Sequence, residues 1–269
     1  MKRIVLCLVM AALLYLSTCM VSCNRDQNSE TAPSESVTQS VALNENYYLI
    51  NGFDIRTIGD YPEIKAAIRL SANAESGELT RDDFLKVTRL DLHQAGIQDI
   101  TPLLALENLT ELEANGNSIV DLTPLTELTK LTELSLVNNG IVDISPLAEL
   151  KNLTVLNLDA NNIDDVSPLS ELTNLVWLSL AMNKIVDISP LSGLVNLTDA
   201  RLGSNEISDI TPLIGWEKIE RLLLNMNPIT DITVLGSLPE LISVNLVYCP
   251  VEDLSPAAHL IVEYAEPLQ

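Results

Sequence analysis

From Asp99 to Glu252 the chain repeats one 22-residue pattern seven times without an insertion, as in Asp121 to Val142 followed by Asp143 to Asp164. A sequence locked to so short a period cannot close around a single globular core. Each unit is too small to bury its own apolar face, so the units must stack and share one continuous core. The predicted outcome is a quasi-one-dimensional solenoid. Such an array offers a long curved surface in place of a deep cleft, and function is to be sought where the units differ.

Within each unit the spacing LxxLxLxxN recurs, as in Leu131, Leu134, Leu136 and Asn139, then Leu153, Leu156, Leu158 and Asn161. Alternation about the two central Leu predicts a short strand with Leu inward and the residues between them outward. Stacked about 4.8 Å apart, eight such strands form a parallel sheet on the concave side. The fold class is therefore α/β: a leucine-rich repeat solenoid, coiled right-handedly, with short 3-10 or helical turns on the convex side. Asn117, Asn139, Asn161, Asn183, Asn205 and Asn227 form an internal ladder, because a buried amide can both donate to and accept from open backbone groups. Ala95 and Cys249 interrupt the ladder at its two ends, which makes Cys249 a buried filler. After each strand comes Asp, an aliphatic residue, Ser or Thr, and then usually Pro-Leu, as in Asp121 to Leu125. Ser or Thr before Pro is expected to be a helix N-cap followed by the first helical position. Val234 replaces that Pro and Ala257 the following Leu, so the pattern decays toward the end.

Eight aligned Asp (Asp99, Asp121, Asp143, Asp165, Asp187, Asp209, Asp231, Asp253) raise the question of calcium. One carboxylate per coil falls short of the six to eight oxygens calcium takes, and turn amides explain the column without an ion, so no metal or other cofactor is expected. Asn108, Asn152 and Asn196 begin glycosylation sequons, but they share one repeat position, and the repeat accounts for them.

Lys2 and Arg3 precede an apolar run from Ile4 to Val21 that ends at Ser22 and Cys23, the layout of an export signal over 1–22. Met20-Val21-Ser22-Cys23 resembles the bacterial lipobox, which implies lipidation of Cys23; Leu16 to Cys19 is a competing match, and plain secretion or an uncleaved anchor are the alternatives. Residues 23–45 read as the lipidated Cys and a disordered polar tether, with little to bury. Residues 46–86 lack the repeat and read as a helical N-terminal cap. One helix starts at Pro62 with Ile64, Ala67 and Ile68 on one face, and a second follows the capping-box spacing at Thr80 to Asp83. Repeats occupy 87–252, and 253–269 is expected to cover the last coil. Cys7, Cys19 and Cys23 lie in or at the edge of the signal, so only Cys249 remains for the folded domain and no disulfide within it is expected. The formal net charge of −22 becomes −24 once Lys2 and Arg3 leave with the signal. That surface disfavours nucleic acid and keeps an elongated chain soluble and monomeric.

Three outward strand positions per coil are free of the packing pattern. The first column reads Arg89, Glu111, Glu133, Val155, Trp177, Asp199, Arg221, Ser243; the middle Asp91, Glu113, Ser135, Asn157, Ser179, Arg201, Leu223, Asn245; the third His93, Asn115, Val137, Asp159, Ala181, Gly203, Asn225, Val247. No column repeats itself. Trp216 replaces a core Leu, whereas Trp177 falls in an outward column, and Trp and Arg are enriched at interface hot spots. The predicted binding surface is Trp177 with Val155, Asn157, Asp159, Ser179, Asp199, Arg201 and Arg221, and with Glu111 and Glu133 toward the acidic early coils. The competing reading is that Trp177 simply lies over neighbouring side chains. Catalysis finds no footing: His93 lies near Asp91 without a Ser or Cys nucleophile, and nothing walls off water around Glu111, Glu113 and Glu133.

The coil from Asn152 to Leu169, NLTVLNLDANNIDDVSPL, and the cap segment Pro62 to Ile68 resemble the bacterial internalins and related 22-residue leucine-rich repeat proteins. The likeness runs from about Tyr47 to Asp253. It implies a concave sheet that binds protein partners, often host-cell receptors, with no catalysis attached to the repeats. This chain departs from that pattern in ending soon after the last coil, without an immunoglobulin-like domain, and in its lipid-type signal. The expectation is a non-enzymatic, protein-binding module held at the bacterial surface or facing the periplasm by an N-terminal lipid. A carbohydrate- or peptidoglycan-binding surface, with Trp177 stacking on a sugar, is the alternative.

Overall fold

The computed structural model describes residues 45–263. The signal, Cys23 and nearly all of the tether lie outside the described residues, as does the chain from 264 onward. Among the described residues no helix is long and apolar enough to cross a membrane.

The cap combines two helices with a hairpin. Pro62 opens the helix Pro62–Ser71, whose Ile64 and Ile68 are buried. It ends at Asn73, where φ is +50° and the amides of Asn73 and Ala74 close back onto the carbonyls of Leu70 and Arg69, a Schellman stop. The helix Arg81–Lys86 carries the expected capping box between Thr80 and Asp83 and buries Phe84. The Thr80 hydroxyl and amide hold the Asp83 carboxyl down to about 2. To the two helices of the cap read from the sequence the structure adds a hairpin, in which β1 (Leu49–Ile50) pairs antiparallel with β2 (Phe53–Asp54). Asn51 and Gly52 both have positive φ, which is the demand of a two-residue type I′ turn. Asn51 Nδ2 bonds the Leu104 carbonyl and the Tyr61 hydroxyl donates to Asp99, so the cap is fastened to the first coil.

The solenoid sheet runs in chain order through β3 (Arg89–Asp91), β4 (Glu111–Glu113), β5 (Glu133–Ser135), β6 (Val155–Asn157), β7 (Trp177–Ser179), β8 (Asp199–Arg201), β9 (Arg221–Leu223), β10 (Ser243–Asn245) and β11 (Ile261–Glu263), all parallel. The period predicts eight strands, and nine are present among the described residues. The ninth escapes the period because the last coil is short: Ser243 pairs with Ile261, 18 residues on, where Arg89 pairs with Glu111, 22 on. The inward Leu and Ile of successive coils merge into one core that also takes in Trp216 and Cys249. At about 1.5–3 kcal/mol for each fully buried aliphatic side chain, this core is the dominant source of stability in a domain whose Cys249 is a free thiol.

Two ladders satisfy the backbone between coils. Asn161 Nδ2 donates to the carbonyls of Leu136, Leu158 and Asp159, while its Oδ1 accepts from the Ile141 amide one coil back. The same pattern recurs at Asn117, Asn139, Asn183, Asn205 and Asn227, and Cys249 Sγ takes one of these contacts at the end, to the Leu224 carbonyl. On the convex side each coil makes a 3-10 turn such as Thr123–Glu127 or Ser145–Glu149. Ser and Thr are not the N-caps there, contrary to expectation. They are the first turn residues, and the Asp two positions earlier accepts their amides, as Asp121 does from Thr123 at 2.8 Å and Asp143 from Ser145 at 2.8 Å. A 3-10 turn starting one residue earlier than an α-helix shifts the capping duty onto Asp. Thr233–Ser237 forms without Pro, so the Asp cap suffices.

One further column matters. Immediately after each strand's third outward residue the backbone turns left-handed, at Gln94, Gly116, Asn138, Ala160, Met182, Ser204, Met226 and Tyr248, with φ between +50° and +68°.

Candidate functional site

Pleat alternation sends the first and middle columns toward the concave side, where the chain's chemistry varies. On the early coils Arg89 reaches across to Glu111 at 3.1 Å and to Glu113 at 2.9 Å. Glu133, one strand on, is exposed and takes part in none of the ion pairs among the described residues. Later in the array Arg221 pairs with Asp199, the residue before it in the same column. That pair, and the pair of Arg89 with Glu111, are legible as opposite charges in adjacent places of one column. The acidic early coils and the later Arg221 are therefore each partly neutralised from within.

Trp177 sits between these two zones and is half-buried. The Arg201 guanidinium lies over its ring, 5.2 Å from the centroid, a cation–π contact that covers part of the indole. On the side of the earlier coils the indole closes an open depression of about 460 Å³. Val155, Asn157, Ser135, Glu133, Glu113 and Glu111 complete its lining, with Leu112 and Leu134 at the floor. Of the residues expected to form a binding surface, the fold thus gathers Trp177, Val155, Asn157, Glu111 and Glu133 into one concavity and leaves Asp199, Arg201 and Arg221 beyond the indole.

Ser179 requires correction as a contact residue. It is fully buried, flanked in its column by Asn157 and Arg201, and its hydroxyl donates to Asp159 Oδ1. The same Asp159 oxygen accepts the Ala181 amide at 2.7 Å. Asn115 fills the matching role in an earlier coil, accepting from the Ser135 hydroxyl and the Val137 amide. Asn157 in turn accepts the Asp159 amide at 3.2 Å. These polar residues brace the strand ends, so their variation answers partly to packing.

The remaining chemistry serves structure. The side-chain amides of Asn152 and Asn196 bond carbonyls of the preceding coil, and that of Asn108 bonds the Leu85 carbonyl in the cap helix, which accounts for the sequon positions. Hydrogen bonds from the Thr hydroxyl and amide lower Asp121, Asp209 and Asp231, and those from the Ser amide and hydroxyl lower Asp143 and Asp187. Among the described residues no group of three His, Cys, Asp or Glu is gathered so as to hold a metal ion. His93 is exposed, and the Asp91 carboxylate beside it accepts the His93 main-chain amide. Burial raises the Cys249 thiol and removes it from solvent.

Comparison with known proteins follows the same lines. The family model for Leucine Rich repeats (2 copies) matches residues 129–171. Among solved structures, an internalin C2 from Listeria monocytogenes is 38% identical, with a TM-score of 0.73 over 76% of this chain and 93% of that one. An internalin, InlF, from the same species is 30% identical, with a TM-score of 0.64 over 75% of this chain and 69% of that one. A plant peptide hormone receptor, RGFR1 in complex with RGF2, is 26% identical, with a TM-score of 0.51 over 60% of this chain and 29% of that one. A search of curated proteins found no match.

Proposed function

This chain belongs to the internalin family of leucine-rich repeat proteins, and from that premise we propose that it is a non-catalytic module that binds a protein partner on its concave sheet. The observation that carries this reading is the depression closed by Trp177. There a half-buried indole, an aliphatic neighbour in Val155 and a group of carboxylates line one concavity of the sheet. Large aromatic side chains set in a pocket and rimmed by polar groups are the usual carriers of interface energy. The plant receptor of similar fold was solved in complex with RGF2, which is consistent with such use of the scaffold.

We further propose that the module works at the bacterial cell surface or in the periplasm, exported by residues 1–22 and anchored through a lipid on Cys23. A sugar ligand stacked on Trp177 is the weaker reading, because no second Trp, Tyr or Phe stands in the outward strand columns or lines the depression to extend a stacking platform. The test is Trp177→Ala in the full chain. Affinity for the protein partner, isolated from a cell-surface extract, is expected to fall by about 2 kcal/mol with no drop in melting temperature. Unchanged affinity, or an equal loss of stability, refutes the assignment. Palmitate labelling that survives Cys23→Ala refutes the anchor.

A further inference from the structure

Resting on the protein-binding reading above, we propose that the depression beside Trp177 takes a lysine or arginine side chain from a basic segment of the partner, its aliphatic stem on Val155 and the indole and its charge among Glu133, Glu111 and Glu113. The lining has two kinds of surface in a fixed order. Apolar surface lies on β6 and β7 (Val155, Trp177), and carboxylates lie on β4 and β5 (Glu111, Glu113, Glu133). Neighbouring strands are about 4.8 Å apart, so Val155 stands one strand, and Trp177 two, from Glu133. That is the reach of a long side chain with an apolar stem and a cationic head, the shape of lysine and arginine.

The chain's own cations mark both ends of the depression and leave its middle open. Arg89 binds Glu111 and Glu113 at one end, and Arg201 binds the face of Trp177 at the other. Between them Glu133 faces the concavity outside either cation's ion pairs. Three carboxylates against the guanidiniums of Arg89 and Arg201 at the two ends leave the depression net negative, by one charge, with Glu133 outside the ion pairs of either. An acidic partner segment would meet like charge here, and a neutral one would leave Glu133 unanswered. A bare metal ion would find no use for the apolar wall. The complementary occupant is a basic peptide.

The probe is a short, end-capped peptide of alternating Ser and Lys, with the same peptide carrying Glu in place of Lys as its counterpart. The readouts are the dissociation constant and the indole N–H resonance of Trp177, identified by its loss in Trp177→Phe. The Lys peptide is expected to bind the full chain, to shift that resonance, and to weaken as salt rises. Glu133→Gln, which breaks none of the internal ion pairs described, should weaken it about tenfold, while Glu149→Gln on the convex turn, with the same change of net charge, should leave it unaltered. Arg89→Gln removes the competing internal cation and should tighten binding severalfold. Circular dichroism melts confirm that each variant folds. The proposal is overturned if the Lys peptide leaves the resonance unmoved at millimolar concentration, if the Glu peptide binds as well, if Glu133→Gln and Glu149→Gln behave alike, or if Arg89→Gln weakens binding. A partner that still depends on Trp177 while the Lys peptide fails rejects the cation and leaves the protein-binding reading standing. A partner indifferent to Trp177→Ala rejects that reading itself.

Discussion

Asn161→Ala tests whether the Asn ladder, and not only the leucine core, holds the coils in register. Asn161 is only 7% exposed and makes four hydrogen bonds, three from Nδ2 to carbonyls and one from the Ile141 amide to Oδ1. Each such bond is worth about 1 kcal/mol net, and a buried amide left without an acceptor costs about 1–3 kcal/mol. The two at 3.0 Å and the Ile141 contact carry most of the effect, which gives a loss of about 3–5 kcal/mol for the variant. The assay is urea unfolding followed by tryptophan fluorescence, since Trp216 is fully buried further along the stack. The neighbouring exposed Asn162→Ala serves as reference and should stay within about 0.5 kcal/mol of the parent. Asn161→Cys, which places here the thiol used at the Cys249 end of the ladder, should recover some of the loss by donating to one carbonyl. A cost below about 1 kcal/mol for Asn161→Ala would refute the reasoning, because it would mean that water or relaxation satisfies the freed groups without penalty.

Gly215→Ala should destabilise the domain, because an added Cβ would stand 2.7 Å from the main-chain oxygen of Ser192, while Gly193→Ala meets only an ordinary contact at 3.7 Å. The second change should be neutral or gain about 0.5 kcal/mol through the unfolded state, and paired thermal melts check both. Asp83→Asn should cost about 1 kcal/mol, the scale of a helix cap. With the folded carboxyl held at about 2 against an ordinary 3.8, that cost is fully present above about pH 4 and vanishes as pH falls through 2; parallel urea midpoints across this range read it. Cys249 should resist alkylation in the folded chain and react on unfolding, as peptide mapping of labelled protein would show.

The coils are legible in the sequence because a strict period fixes register: once Leu134 is inward, every residue 22 positions away inherits its environment. The helices announce themselves through Pro62 and the Thr80-Asp83 box. The hairpin does not, since strands of two residues show no alternation, although Asn51-Gly52 carries the turn signal. The ninth strand is hidden because the closing coil is four residues shorter than the rest. At the binding face, alternation tells which residues leave the sheet but not what the next coil lays over them. Ser179 points outward and is nonetheless sealed by its neighbours, and Arg201 reaches sideways onto Trp177. Contacts between coils depend on side-chain reach, which a one-letter pattern does not carry.

The left-handed column after each strand holds Gln, Asn, Ala, Ser, Tyr and two Met where a free chain would favour glycine. The fold bends the backbone there by force of the stack, at a strain of about 1 kcal/mol per L residue. Shape and side chain are thereby uncoupled along one rim of the molecule. Met182, Met226 and Tyr248 stand exposed on it without altering the path of the main chain. Such a rim can be rewritten residue by residue while the scaffold stays the same, which makes it the natural place to graft a new specificity beside the concave sheet.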